Sequence, residues 1–249
     1  MIRRALVAVL AVFSGSYAAA ATSPLPGTLA DLINLGDTGA TLGDKTFYDF
    51  SYLGSPTSIT PGQIRVIQAP GPDIGIEFQY HWTSTNANNE DAVIRYKVHV
   101  NDPTEAIRAV ALHFDATAYA ANDPAHPDTD LGTNGTITES INDLSGNPLT
   151  NNNQISVFDA GPKFAAVNQD NATFVLPTAE RDLMLEKDIS AHSTIGGGTA
   201  AISVVDNTFP QTPPTTSIPL PTPAWAALTA IALGLWSPVR RRLWRLIQA

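Results

Sequence analysis

The sequence predicts an all-β protein, an antiparallel β-sandwich of jelly-roll type, carried between an N-terminal signal peptide and a short C-terminal transmembrane helix. Three observations carry this reading. Between residues 46 and 205, apolar and polar residues alternate with period two in about ten short stretches, the pattern of half-buried strands. Clusters of Gly, Pro and Asn punctuate those stretches. Both ends, by contrast, are apolar runs bordered by arginine.

The 249 residues leave room for one large domain or two small ones, and 43% hydrophobic with 15% charged is the balance of a globular chain. With Arg3, Arg4, Arg240, Arg241, Arg242 and Arg245 at the ends set aside, eight basic residues stand against 23 acidic ones. So acidic a body repels phosphate backbones, which excludes nucleic acid as a partner. The absence of cysteine excludes disulfides, thiolate metal sites and a Cys nucleophile.

Residues 1–21 read MIRRALVAVLAVFSGSYAAAA. Arg3 and Arg4 form a positive n-region, residues 5–13 an apolar h-region, and Ala19 and Ala21 an A-x-A site that puts signal cleavage near Ala20 or Ala21. A folded domain is expected over 22–208. It opens with TLADLINL, one or two helical turns with Thr28 as N-cap and Asp31 three residues on. Strands are expected at 46–53, 63–68, 74–82, 92–100, 107–116, 136–141, 154–158, 172–176, 182–189 and 199–205. Turns fall at Thr60-Pro61-Gly62, Pro70-Gly71-Pro72, Asn101-Asp102-Pro103 and Ser145-Gly146-Asn147, with Gly196-Gly197-Gly198 as a flexible hairpin turn.

The clearest strands are DIGIEFQYHW and AVIRYKVHV. Ile74, Ile76, Phe78, Tyr80 and Trp82 share one face of the first, and Ala92, Ile94, Tyr96, Val98 and Val100 one face of the second. Paired antiparallel through the intervening loop, they would set Phe78 opposite Tyr96, Ile76 opposite Val98 and Glu77 opposite Lys97.

Residues 209–223 hold six prolines among Thr and Ser and read as a semi-rigid linker. An uncharged run of 16 residues, 224–239, follows. As a helix it would be about 24 Å long, short of the roughly 30 Å hydrocarbon core. Arg240, Arg241 and Arg242 hold its far end in the cytoplasm, so the body lies outside.

The proline-rich stretch, PLPTPAW, the short apolar helix and RRR resemble the PEP-CTERM sorting signal of Gram-negative bacteria. The resemblance implies an exosortase-type transpeptidase as processing partner. Pro219, Leu220, Pro221 and Pro223 would form the recognition motif, with Thr222 where the family carries Glu. LADLINLGDTGATLGDKTFYDFSY, ITPGQIRV and EDAVIRYKVHV resemble the bodies of exported proteins that carry such tails. That likeness implies a β-sandwich delivered to the cell envelope, the cell surface or the extracellular space, and supplies no catalytic site.

Motifs for chemistry are sparse. The five histidines form no H-E-x-x-H or H-x-H, so no zinc template fits and no cofactor is expected. His81 and His99 both fall on polar strand faces and read as separate surface residues. Asp128 and Asp130 have the first spacing of a calcium loop with Glu139 twelfth, but Gly132 and Thr133 stand where an EF-hand needs Asp or Asn and then Gly. An acidic surface loop is the expected reading. No G-x-S-x-G elbow occurs, so the chain is not expected to be an enzyme.

Three functional classes follow. The first is an exported structural or adhesive protein of the cell surface or matrix, associated with extracellular polysaccharide. The second is a carbohydrate-binding module, which should show an exposed row of aromatics along one face or at a loop edge. The third is a secreted hydrolase, which needs a deep pocket with converging carboxylates or a histidine.

Overall fold

The computed structural model describes residues 25–55, 59–85, 88–119, 133–160, 167–193 and 198–212. Ala19 and Ala21 of the signal site, Asp128 and Asp130, Gly196 and Gly197, and Pro219, Leu220, Pro221, Pro223, Arg240, Arg241 and Arg242 of the tail lie outside the described residues. Among the described residues no helix is long and apolar enough to cross a membrane.

One α-helix, two single-turn 3-10 helices (Gly36–Thr38 and Pro61–Gln63) and thirteen strands are described. Helix α1 spans Leu29–Leu35. The strands are β1 (Ala40–Leu42), β2 (Lys45–Ser55), β3 (Arg65–Gln68), β4 (Gly75–Thr85), β5 (Asn89–Val100) and β6 (Ala106–Tyr119). There follow β7 (Asn134–Asn142), β8 (Gln154–Ala160), β9 (Val167–Gln169), β10 (Asn171–Glu180), β11 (Asp182–His192), β12 (Thr199–Thr208) and β13 (Gln211–Thr212). All ten expected strands are present, each within a few residues of its expected bounds. The short strands β1, β9 and β13 are too brief to show a period.

A seven-stranded sheet runs β1-β2-β5-β11-β7-β8-β9, and a six-stranded sheet runs β10-β6-β12-β4-β3 with β13 beside β6. Every pairing is antiparallel. The period-two pattern explains why two sheets form. Ala92, Ile94, Tyr96, Val98 and Val100 of β5 are fully buried while Arg95 between them is exposed. Such a face must be covered, and the facing sheet covers it, with Phe78 of β4 and Asn207 of β12 against Tyr96. Burial of a large apolar side chain contributes roughly 1.5–3 kcal/mol, so rows like these supply most of the driving force.

The expected β4–β5 pair is corrected here. β4 hydrogen-bonds to β12 and β3, and β5 to β2 and β11, so the two strands lie in opposite sheets. Phe78 and Tyr96 do meet, with ring centroids 5.9 Å apart, but across the sandwich and not along one sheet. Glu77 stands opposite Asp206 and Ile67, and Lys97 opposite Tyr48 and Met184. Two wholly apolar faces joined by a short connection can bury themselves side by side against a third layer or directly against each other. The sandwich adopts the second solution. The hairpin expected around Gly196-Gly197-Gly198 is corrected for the same reason, since β11 and β12 belong to different sheets.

Helix α1 closes one edge as the sequence implies. Thr28 and Asp31 form a reciprocal capping box, Thr28 N–H donating to Asp31 Oδ2 at 3.1 Å and Asp31 N–H to Thr28 Oγ1 at 3.3 Å. Leu29 and Leu32 then point into the core. The folded body also runs past the expected linker boundary. Phe209 is buried against Phe47, and β13 pairs with β6.

Candidate functional site

The outer face of the six-stranded sheet carries the polar cluster that stands out. Its rows are set by register: His113 of β6, Asp206 of β12 and Glu77 of β4 lie side by side, followed outward by Ile67 of β3. On the other side Asn171 of β10 stands opposite His113. Asp206 falls on this face because its neighbours Val205 and Asn207 point inward and a strand alternates.

Asp206 is only 7% exposed, yet its Oδ2 lies 2.7 Å from Nδ1 of His113, which is 42% exposed. A carboxylate can only accept, so Nδ1 carries the proton and Nε2 is left facing outward as an acceptor when the ring is neutral. An open pocket of about 310 Å³ forms over this pair, lined by Pro70, Asn171, Thr173 and Thr208 as well as His113 and Asp206. Glu77 is not part of that lining. Gln79 Nε2 donates to its Oε1 at 2.5 Å, which ties it to its own strand.

A second polar cluster sits in the core. Lys187 of β11 and Glu139 of β7 are directly opposite in register, both 0% exposed, with Nζ 3.1 Å from Oε1. Asn207 reaches in from the facing sheet and donates from Nδ2 to Glu139 Oε2 at 2.8 Å and to the Ala111 carbonyl at 3.0 Å. Tyr96 Oη donates to Asn207 Oδ1 at 2.6 Å. Burial pushes the Glu139 carboxyl up, against the attraction of Lys187, and pushes the Lys187 ammonium down, against Glu139. Both directions favour the neutral pair.

The residues singled out from the sequence are dispersed by the fold. Glu139, the twelfth position of the calcium spacing, points into the core against Lys187, away from any surface loop. Asp128 and Asp130 are outside the described residues, and among the described residues no three His, Asp or Glu side chains are grouped to hold a metal. His81 is exposed on β4, while His99 lies on β5 in the other sheet, 2.7 Å from Asp182. Trp82 is wholly buried, and Tyr48, Tyr52, Tyr80, Phe158 and Phe174 are half-buried.

The sequence reading missed His113, Asp206 and the core cluster. A signal for the latter existed: Lys187, Glu139 and Asn207 each interrupt an apolar row, as in Leu183, Leu185, Lys187, Ile189 and Ala191.

No protein-family model and no curated protein matches the chain. Among solved structures, it is similar to TmCBM61 in complex with β-1,4-galactotriose, at 10% identity and a TM-score of 0.30, covering 65% of this chain and 88% of that one. It is similar to the low-affinity xylan-binding module CBM86 from Roseburia intestinalis, at 9% identity and a TM-score of 0.22, covering 65% and 96%. Endoglucanase 3 of Trichoderma harzianum, from family GH12, overlaps at 9% identity and a TM-score of 0.25, covering 65% and 98%. At such scores these overlaps transfer no residue and no activity to this chain.

Proposed function

We propose that this protein is an exported β-sandwich of the cell surface or matrix that holds a neutral polysaccharide in the pocket over His113 and Asp206. The observation that carries the reading is that pocket. It offers an almost buried carboxylate, a fixed imidazole, an amide at Asn171 and hydroxyls at Thr173 and Thr208, with Pro70 as an apolar wall. Such a set accepts and donates to sugar hydroxyls, with polar groups in place of the exposed aromatic row expected of a carbohydrate-binding module. The acidic body disfavours anionic polymers, which narrows the ligand to neutral glycans.

Binding without turnover is part of the proposal. Glycoside hydrolysis uses two carboxyl groups flanking the scissile bond, and among the described residues Asp206 is the one carboxylate lining this pocket. The sequence of the two ends supports display outside the cell, with the tail from Pro219 onward as an exosortase substrate. The test is a glycan array on the purified protein, followed by titration calorimetry on the strongest ligand. Asp206→Asn and His113→Ala should each weaken binding at least tenfold without altering the melting point by more than a few degrees. An array with no signal, or a ligand unaffected by both variants, overturns the assignment of the pocket. Release of reducing ends from the bound glycan overturns the non-enzymatic part alone.

A further inference from the structure

The core cluster of Lys187, Glu139, Asn207 and Tyr96 contributes nothing to the outer pocket. It is also an expensive arrangement, because a buried ion pair gains less from mutual attraction than its desolvation costs unless every remaining group is hydrogen-bonded. Here that condition fails: Lys187 Nζ meets Glu139 Oε1 at 3.1 Å and finds no further hydrogen-bond partner among the described residues. The amine is therefore sequestered from water and held only by a carboxylate whose other oxygen holds the side-chain amide of Asn207 from the opposite sheet. We propose that Lys187 and Asn207 become joined by an amide bond between their side chains, with Glu139 as the catalytic proton carrier.

The chemistry balances without any further reactant. Lys187 Nζ, as the neutral amine, attacks Asn207 Cγ. Negative charge gathers on Oδ1, where the Tyr96 hydroxyl already donates at 2.6 Å in the manner of an oxyanion donor. The Glu139 carboxyl, neutral at the start, gives up its own proton as it takes one from Nζ. The Nδ2 amide group, held at 2.8 Å by Oε2 of the same carboxyl, receives a proton from it and leaves as ammonia. The Nζ–Cγ bond forms, the Cγ–Nδ2 bond breaks, and Glu139 ends as it began. The burial that drives Glu139 and Lys187 toward neutrality prepares both partners, since a protonated amine is no nucleophile.

The surroundings fit the step. Tyr96 stacks on Phe50 with centroids 5.3 Å apart and is flanked by Phe47 and Phe78 at 6.3 and 5.9 Å, a wall that keeps water from competing with the amine. A Lys187–Glu139 amide is disfavoured by comparison, because Glu139 would be consumed in it and could not carry the proton to the leaving group. The bond would tie β11 in one sheet to β12 in the other. A pull entering from residue 213 onward would then pass from Asn207 to Lys187 and bypass most of β12.

Peptide mapping of the purified full-length protein tests this wherever its ends have been trimmed. Cleavage before each aspartate should release residues 182–187 covalently joined to the peptide that begins at Asp206, 17 Da below the sum of the two. Glu139→Gln, close in shape, should give the two peptides separately at full mass. Free peptides from the unaltered protein, a loss of 18 Da with the bond placed on Glu139, or undiminished cross-linking in Glu139→Gln would each overturn the proposal.

Discussion

Replacing one member of the buried pair at a time should give two proteins whose stabilities depend on pH in opposite directions. Lys187→Met leaves Glu139 at 0% exposure without its counter-charge. Burial already raises this carboxyl and Lys187 is the main influence holding it down, so in the variant it rises further. A group whose folded pKa lies above its unfolded value stabilises the fold below the unfolded pKa and loses that contribution as pH rises toward the folded one. Lys187→Met should therefore be more stable at pH 5 than at pH 7. Glu139→Gln leaves Lys187, whose pKa burial lowers and Glu139 chiefly restores. The sign reverses: stability is present above the unfolded lysine pKa and is lost as pH falls, so this variant should be less stable at pH 5 than at pH 8. Breaking such a pair costs about 3–5 kcal/mol, or roughly 6–20 °C in Tm for a domain of this size. Asn207 and Tyr96 do not titrate in this range, and Asp206, on the outer face, is the smallest of the influences on Lys187, so the slopes report chiefly the orphaned groups. Both variants also lack the proposed amide bond, a loss without pH dependence. Thermal unfolding by circular dichroism from pH 5 to pH 8, taken as the difference between the two variants, cancels the titration of all other groups. Parallel profiles would refute the reasoning. The double replacement Lys187→Met with Glu139→Leu should recover much of the loss, because no buried charge remains.

Other consequences are direct. Phe78→Ala should cost about 3–5 kcal/mol in denaturant unfolding; a double-mutant cycle with Tyr96→Phe should show coupling although the residues lie in different sheets, and strict additivity would contradict the facing arrangement. Thr28→Ala should cost about 1 kcal/mol through loss of the capping box, measurable as a shifted urea midpoint at constant slope. Gly75→Ala should cost about 1–3 kcal/mol or more, because its Cβ would meet the Asn207 carbonyl oxygen at 2.0 Å, and an unchanged melting point would contradict the β4–β12 register. Mature protein from the native host should end before Ala249, and replacing Pro221 and Pro223, or Arg240, Arg241 and Arg242 with Ala, should leave the tail attached; an intact mass still ending at Ala249 in the unaltered protein would make the tail a plain anchor.

The amino-acid sequence by itself determined the class of the fold, the ten longer strands, which face of each is buried, and the cap at Thr28. All of these are local, since side chains alternate across a strand whatever its partners, and a capping box closes within four residues. Strand partners were decided only by the tertiary structure. The inner rows of β4 and β5 are equally satisfied beside one another or face to face, and the choice depends on β2, β11, β12 and β3, which compete for their edges. The sites share that origin. His113, Asp206 and Asn171 are distant in sequence and meet through two pairings in one sheet. Lys187, Glu139 and Asn207 could each be read as a polar residue in an apolar row, but β11–β7 pairing joins the first two and only the closing of one sheet over the other brings the third. A period of two specifies a face. It carries no information about what that face will meet.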